Sequence, residues 1–308
     1  MKLLLYSASL CVSISLLSCK NTGPRDASKK YHFNLNLSTG SKYYFNINTE
    51  TVSKVSAMGK DVETNNQSEV GLIYEVVNST PDSIQIKITY DQLKFSLKSK
   101  EGEKEIDAAN SGHSFDNMEK QLAAVKGSSL NVTLNKKGEV LQVSGGNEIT
   151  DKLIATLNAT NPASQARVRE QFNKFLGEDF VKNNLASQFK LFPDSAVAVG
   201  NTWKQENTLS MEIGAKASST FTFDDLDGNI ASVKSTAVIN TDNKTTIMGN
   251  EVEANMKGSQ EGQFETDTAT GLLMKSETTT AIDGSMQMMG KDIPLSIKIT
   301  KHIKGKKL

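Results

Sequence analysis

Ser83-Ile84-Gln85-Ile86-Lys87-Ile88-Thr89-Tyr90-Asp91-Gln92-Leu93-Lys94-Phe95-Ser96-Leu97 decides the fold. Ile84, Ile86, Ile88 and Tyr90 alternate with polar residues, which is the period-two pattern of a strand with one buried face. Leu93, Phe95 and Leu97 keep the alternation but fall on the opposite parity. A strand cannot turn its apolar set over to solvent midway, so the phase change predicts a β-bulge near Asp91-Gln92. Bulged long strands curve, and curved antiparallel sheets make concave faces.

The same alternation runs outward from this segment. Phe33, Leu35 and Leu37, then Tyr43, Phe45 and Ile47, then Val70, Leu72, Tyr74 and Val76 each share one parity. Leu130, Val132 and Leu134 lead through Lys136-Lys137-Gly138 to Leu141 and Val143, a hairpin pattern. Between 147 and 191 the period becomes helical. Ile149, Leu153 and Leu157, then Val168, Phe172 and Phe175, then Val181, Leu185 and Phe189 are spaced three or four apart. Asn161-Pro162 is a helix start, Gly177 a stop, and Pro193 closes the last helix. Beyond Pro193 the strands resume through Leu209-Met211-Ile213, Phe221-Phe223, Val233 to Ile239, Val252-Ala254-Met256, Leu272-Met274, Met286-Met288 and Leu295-Ile297-Ile299.

The fold class expected is α+β, mainly β, with two similar curved antiparallel β blocks and a central helical segment packed on them. Signs of duplication support the pairing of blocks. Gly40-Ser41-Lys42-Tyr43 opens the first and Gly200-Asn201-Thr202-Trp203 the second. Asn131 to Val143 has the outline of Gln263 to Lys275. Met58-Gly59, Met248-Gly249 and Met289-Gly290 recur between alternating runs and read as hairpin tips. The expected organisation is a leader over 1–18, a tether over 19–31, a β block over 32–146, helices over 147–192 and a second β block over 193–304.

The leader reading rests on Lys2, the apolar run Leu3 to Leu17, and Ser18 before Cys19. Four serines interrupt the run, whereas a bilayer-spanning helix needs about 20 mostly apolar residues. A basic residue, an apolar stretch and a small residue at the junction make a cleavable secretory signal. Leu16-Leu17-Ser18-Cys19 resembles the bacterial lipobox. That resemblance implies cleavage before Cys19, a diacylglycerol thioether on its sulfur, and acylation of its amine. Two or more acyl chains, at about 0.8 kcal/mol per buried methylene, give stable anchoring.

Loss of the leader removes Lys2 from 35 basic and 35 acidic residues, leaving the body close to neutral. Such a surface has no field to gather nucleic acid. The other cysteine, Cys11, lies in the leader, so no disulfide is expected in the body. The histidines His32, His113 and His302 are far apart and share no metal-ligand spacing, and no cofactor or phosphate-loop motif occurs. Asp224-Asp225-Leu226-Asp227-Gly228 lacks calcium-loop spacing and reads as a turn. No catalytic residue is assigned. A binding cavity between sheet and helices is the remaining candidate, a layout that looks like lipoprotein lipid carriers, with Met286, Met288 and Met289 as an adaptable apolar wall.

From Phe192-Pro193-Asp194 to Val199-Gly200-Asn201-Thr202-Trp203 the chain resembles a family of uncharacterised Bacteroidota outer-membrane lipoproteins. The resemblance implies an envelope lipoprotein and carries no activity with it. Lys20 after the anchored cysteine favours the outer membrane, and the absence of an early acidic stretch favours the periplasmic face. The function expected is non-enzymatic binding or scaffolding in the envelope, with a lipid or other apolar ligand, or an envelope protein, as partner. The alternative is a hydrolase of envelope polymers, which would need convergent acids in a cleft.

Overall fold

The computed structural model describes residues 29–57, 59–100, 102–109, 117–208, 215–241, 243–247, 250–288 and 290–308. The leader, Cys19 and His113 lie outside them. Among the described residues thirteen strands form one antiparallel sheet, accompanied by four helices. The strands are β1 (Lys42–Ala57), β2 (Lys60–Ser79), β3 (Ser83–Ser99), β4 (Gly102–Asp107), β5 (Ser129–Asn135), β6 (Val140–Ser144), β7 (Thr202–Thr208), β8 (Ala215–Asp227), β9 (Ile230–Thr241), β10 (Asn243–Ile247), β11 (Asn250–Asp267), β12 (Leu272–Met288) and β13 (Lys291–Lys307). The helices are α1 (Asn117–Val125), α2 (Gly146–Thr156), α3 (Pro162–Leu176) and α4 (Glu178–Phe189). None of the described helices is long and apolar enough to cross a membrane.

The strand order is β6-β5-β3-β2-β1-β13-β12-β11-β9-β8-β7, with β4 on β3 and β10 on β11. The fold is thus mainly β with a central helical segment, and its two blocks merge into one sheet. β13 makes the join by pairing with β12 on one edge and β1 on the other.

Each block opens with the same backbone device. Gly40 N–H donates to Val76 O, Val76 N–H to Ser41 O, and Ser41 N–H to Ser38 O. In the second block Gly200 N–H donates to Phe223 O, Phe223 N–H to Asn201 O, and Asn201 N–H to Ala198 O. Both glycines have φ near +90°, at 84° and 90°, which side chains resist. Their hairpins also turn alike. Asn135 Oδ1 accepts from Lys137 N–H, and Asp267 Oδ1 accepts from Ala269 N–H, each an Asx turn.

The bulge lies where the parity break puts it. Gly71 pairs with Gln92 and Leu72 with Tyr90, so Asp91 has no partner in the ladder. Tyr90 and Leu93 are in consequence both buried in the main core while Asp91 is exposed. The ladder pairs Ala57 with Lys60, Ile247 with Asn250, and Met288 with Lys291 flank the three Met-Gly strings, of which Met58, Met248, Gly249 and Met289 lie outside the described residues. One parity reading fails. Leu141 is 55% exposed, and the buried residues of β6 are Val140 and Val143, because the register with β5 shifts by one residue at Thr133-Leu134.

The helical segment follows the apolar spacing. Asn161 caps α3 by accepting from Ser164 N–H at 2.9 Å, with Pro162 in the first turn. Ile149, Leu153, Phe172, Val181, Leu185 and Phe189 are buried with Tyr43, Phe45, Tyr74, Ile86 and Val132 in the main core. Burying one such side chain contributes about 1.5–3 kcal/mol. A second cluster of Leu191, Phe192, Phe221, Phe223 and Val233 sits under the loop that follows α4. A third, of Ala217, Ile239, Met256, Ile282 and Leu295, lies on the same inner parity of the sheet toward its other end.

Candidate functional site

The segment Phe192 to Trp203 builds one end of the site. Asn201 Oδ1 accepts from Ala198 N–H at 3.0 Å, which closes the turn before β7. Trp203 then enters the strand, donates from Nε1 to Leu191 O at 3.1 Å, and stacks between Phe192 (5.5 Å) and Phe221 (5.7 Å). Phe33 stacks on Phe192 at 3.5 Å. Gly200 and Asn201 of this stretch thus turn the chain, and Trp203 extends the aromatic column.

Beside Phe221, between α4 and the inner faces of β7, β8, β11, β12 and β13, lies a cavity of about 390 Å³. Its apolar part is Phe221, Phe264, Leu273, Ile303 and Leu191. Its inward-facing polar strand residues are Gln205, Ser219, Gln260, Ser276, Thr278 and Lys301, and Glu206, Lys190 and the α4 residues Asn183, Asn184 and Gln188 complete the polar lining. Ser219 and Ser276 are buried although they are serines, and small neighbours such as Ala217 and Gly262 keep the space open. The Phe264 ring leans over Gly262, where an added Cβ would stand 2.7 Å from it.

Lys301 is the unusual member. It continues the parity of Leu295, Ile297 and Ile299 toward Ile303, facing Thr49 of β1 and Thr278 of β12 across the ladder. It is half-buried by accessible surface, with protein crowding it closely, because the surface it retains belongs to the cavity wall. Burial pulls its ammonium below the usual lysine value. Neither an ion pair nor a hydrogen bond to it occurs among the described residues. The hydroxyls of Ser219, Ser276 and Thr278 likewise make no hydrogen bond among them.

The helical wall is pinned by hydrogen bonds and charge. Tyr74 Oη donates to Gln188 Oε1, and Gln205 Nε2 donates to Leu191 O at 3.2 Å. Burial pushes the Tyr74 phenol well above the ordinary tyrosine range and that of Tyr90 up to about 12, so both stay neutral donors. Lys190 pairs with Glu139, lies 3.7 Å from Asp194, and Asp194 pairs with Lys137 at 3.1 Å. The Lys190 ammonium holds the Glu139 carboxyl below its usual range, and Lys137 does the same for Asp194.

The methionines stand elsewhere. Met286 is half-buried against the third cluster and does not line the cavity, Met288 ends β12, and Met289 lies outside the described residues. His302 faces Asn48 and Glu277, with Nδ1 3.8 Å from the Glu277 carboxylate, while His32 precedes β1. No group of three or more metal-ligating side chains is assembled among the described residues. Asp224 pairs with Lys234 at 2.9 Å, and the turn to β9 passes through Gly228. Sequence reasoning passed over Lys301, although the signal is present: a lysine at the apolar parity of an otherwise Leu-Ile-Ile-Ile strand face.

A protein-family model described as a family of unknown function, DUF6263, matches residues 81–273, well over half of the chain. The chain belongs to this family. The DUF6263 match runs from the start of β3 into β12, taking in the helical segment and the Phe192–Trp203 turn. It stops before Lys301, so the lysine belongs to the part of the sheet outside the DUF6263 match. No curated protein matches the chain. Among solved structures, DynF from the dynemicin biosynthesis pathway of Micromonospora chersina is similar at 8% identity and a TM-score of 0.22, with 91% of this chain and 86% of that one covered. An outer membrane channel from Pseudomonas putida F1 is similar at 7% identity and a TM-score of 0.21, with 88% and 97% covered. At these TM-scores neither likeness bears on fold or function.

Proposed function

We propose that this chain is a lipid-anchored envelope protein, tethered through Cys19 to the periplasmic face of the outer membrane, whose body binds a small amphiphilic ligand without altering it. The observation that carries the binding reading is the cavity of about 390 Å³ under α4, large enough for a small molecule and lined by interleaved apolar and polar residues. Polar side chains at inward strand positions suit a cavity that admits water or a ligand, since a polar group sealed without a partner in a dry core costs free energy.

The lining also favours binding over hydrolysis of an envelope polymer. Glycoside hydrolysis usually uses two carboxyl groups across the scissile bond. Glu206, an exposed residue, is the one carboxylate among the described lining residues. The anchor supports an envelope role because the lipobox-like Leu16-Leu17-Ser18-Cys19 precedes a polar stretch, Lys20 to Lys30, that can act as a spacer.

Native mass spectrometry of the protein purified from a bacterial envelope tests the reading. The expected result is a co-purifying mass of a few hundred daltons that organic extraction removes. A uniformly empty protein that also takes up no amphiphile on titration would overturn it.

A further inference from the structure

We infer that Lys301 is the recognition point for an anionic head group, a carboxylate or a phosphate, on the ligand that occupies this cavity. The inference rests on the ligand-binding reading and adds the chemical class of the ligand.

Three observations converge on it. Lys301 sits in the middle of the sheet, on the inward face, where an ammonium loses most of its water. Among the described lining residues it is the cation left without a partner, since Lys190 is engaged by Glu139. The hydroxyls of Thr278, which faces Lys301 across the ladder, and of Ser276, two residues along β12, line the same cavity with their hydrogen-bonding capacity unspent among the described residues, while Ser219 lies four strands away on β8. An ammonium with nearby hydroxyl donors is complementary to an oxyanion, and such charge-assisted hydrogen bonds are the strong ones. A purely apolar ligand would leave the ammonium desolvated and unpaired; an anion removes that penalty. Phe221, Phe264, Leu273 and Ile303 then provide a surface for a short hydrocarbon portion.

The sole tryptophan, Trp203, stacks on the cavity residue Phe221 and supplies the readout. The full chain carrying Cys19→Ala, free of acyl chains, is titrated in detergent-free buffer with decanoate, decyl phosphate and 1-decanol while Trp203 emission is followed. Decanoate and decyl phosphate are expected to bind at least about tenfold more tightly than decanol, the ratio set by one charge-assisted contact. Lys301→Met should erase that preference while decanol binding holds, and Lys301→Arg should restore it. Inorganic phosphate that displaces decyl phosphate would assign the site to a free oxyanion; failure to displace would assign it to an amphiphile's head group, and either keeps the anion recognition.

Equal affinity for decanol and decanoate, or a preference that survives Lys301→Met, would overturn the role of Lys301 and leave the cavity reading standing. Loss of binding for all probes, together with an empty native mass, would instead remove the binding function itself. Removal of a buried charge should not hinder folding, and thermal unfolding of Lys301→Met verifies that the variant is intact.

Discussion

Tyr74 and Gln188, 114 positions apart, are joined by a hydrogen bond of 2.8 Å from the phenol to the amide oxygen. It links the middle of the first β block to the last turn of the helix that walls the cavity. Tyr74→Phe keeps the ring among its apolar neighbours and removes only the donor. The expected cost is about 1–2 kcal/mol, since the Gln188 amide then loses a buried partner. Urea unfolding of the two proteins measures it, and a change below a few tenths of a kcal/mol would show that the bond does not hold the wall.

Gly262 sits beneath the Phe264 ring and beside Ser235 Oγ, both 2.7 Å from where a Cβ would stand. Gly262→Val should push the ring into the cavity and destabilise the fold by about 1–3 kcal/mol through overpacking. Decanoate affinity should fall by a larger factor than in Tyr74→Phe. Unchanged affinity in a folded Gly262→Val protein would place the ligand elsewhere.

Lys301 should make stability depend on alkaline pH. Its folded value lies below the ordinary 10.5, so between the two values the unfolded chain holds the proton that the folded one has released. Stability therefore rises with pH across that window, and below it the burial penalty is present in full. The wild type should gain on Lys301→Met as pH increases toward 10.5. Parallel melting curves against pH for the two proteins would contradict this.

Glu139 and Asp194 should act in the opposite range. Both carboxyl groups are held below their ordinary values, by Lys190 and Lys137 respectively, so their contribution is present above those values and lost as pH falls through the depressed ones. The members of this cluster are half-buried to exposed, and salt should weaken it. Lys190→Met is expected to lower the melting temperature slightly at neutral pH, with the difference closing in acid and at high salt. A difference that persists in acid would assign the effect to packing of the lysine stem instead.

Cys19→Ala should move the body from the membrane fraction to the soluble fraction. Fractionation after lysis, with and without a high-salt wash, measures this; sedimentation with membranes through the wash would contradict acyl anchoring.

Most of the sheet was legible because half-buried strands alternate. The slip at Asp91 and the Asn161-Pro162 helix start both follow from local rules that no tertiary contact overrode. A cavity between sheet and helices was expected, but its lining residues were not legible, for a related reason. Ser276, Thr278 and Thr280 on β12, and Ser235 on β9, face inward, yet to an alternation rule they are the polar face that belongs in water. Leu141 misled in the opposite sense, as an apolar residue left outside by a one-residue register shift. Helix α1 was missed because Asn117 to Val125 is short and weakly apolar, and its place is set by packing on α2 and β4. Met286, Met288 and Met289 suggested an adaptable wall, whereas the cavity is lined by α4 and by other residues of β7, β8, β11, β12 and β13.

The position of β13 between β1 and β12 has a kinetic consequence. Tyr43 finds its partner on one side at Tyr74, a near neighbour, and on the other only at Lys307. Contacts so remote in sequence form late, because the chain between them must first be brought into order. The slow step of folding is expected to be the zipping of β13 into the gap. A chain interrupted before that strand would show two long open edges, β1 and β12, each a template on which a second copy could add a strand.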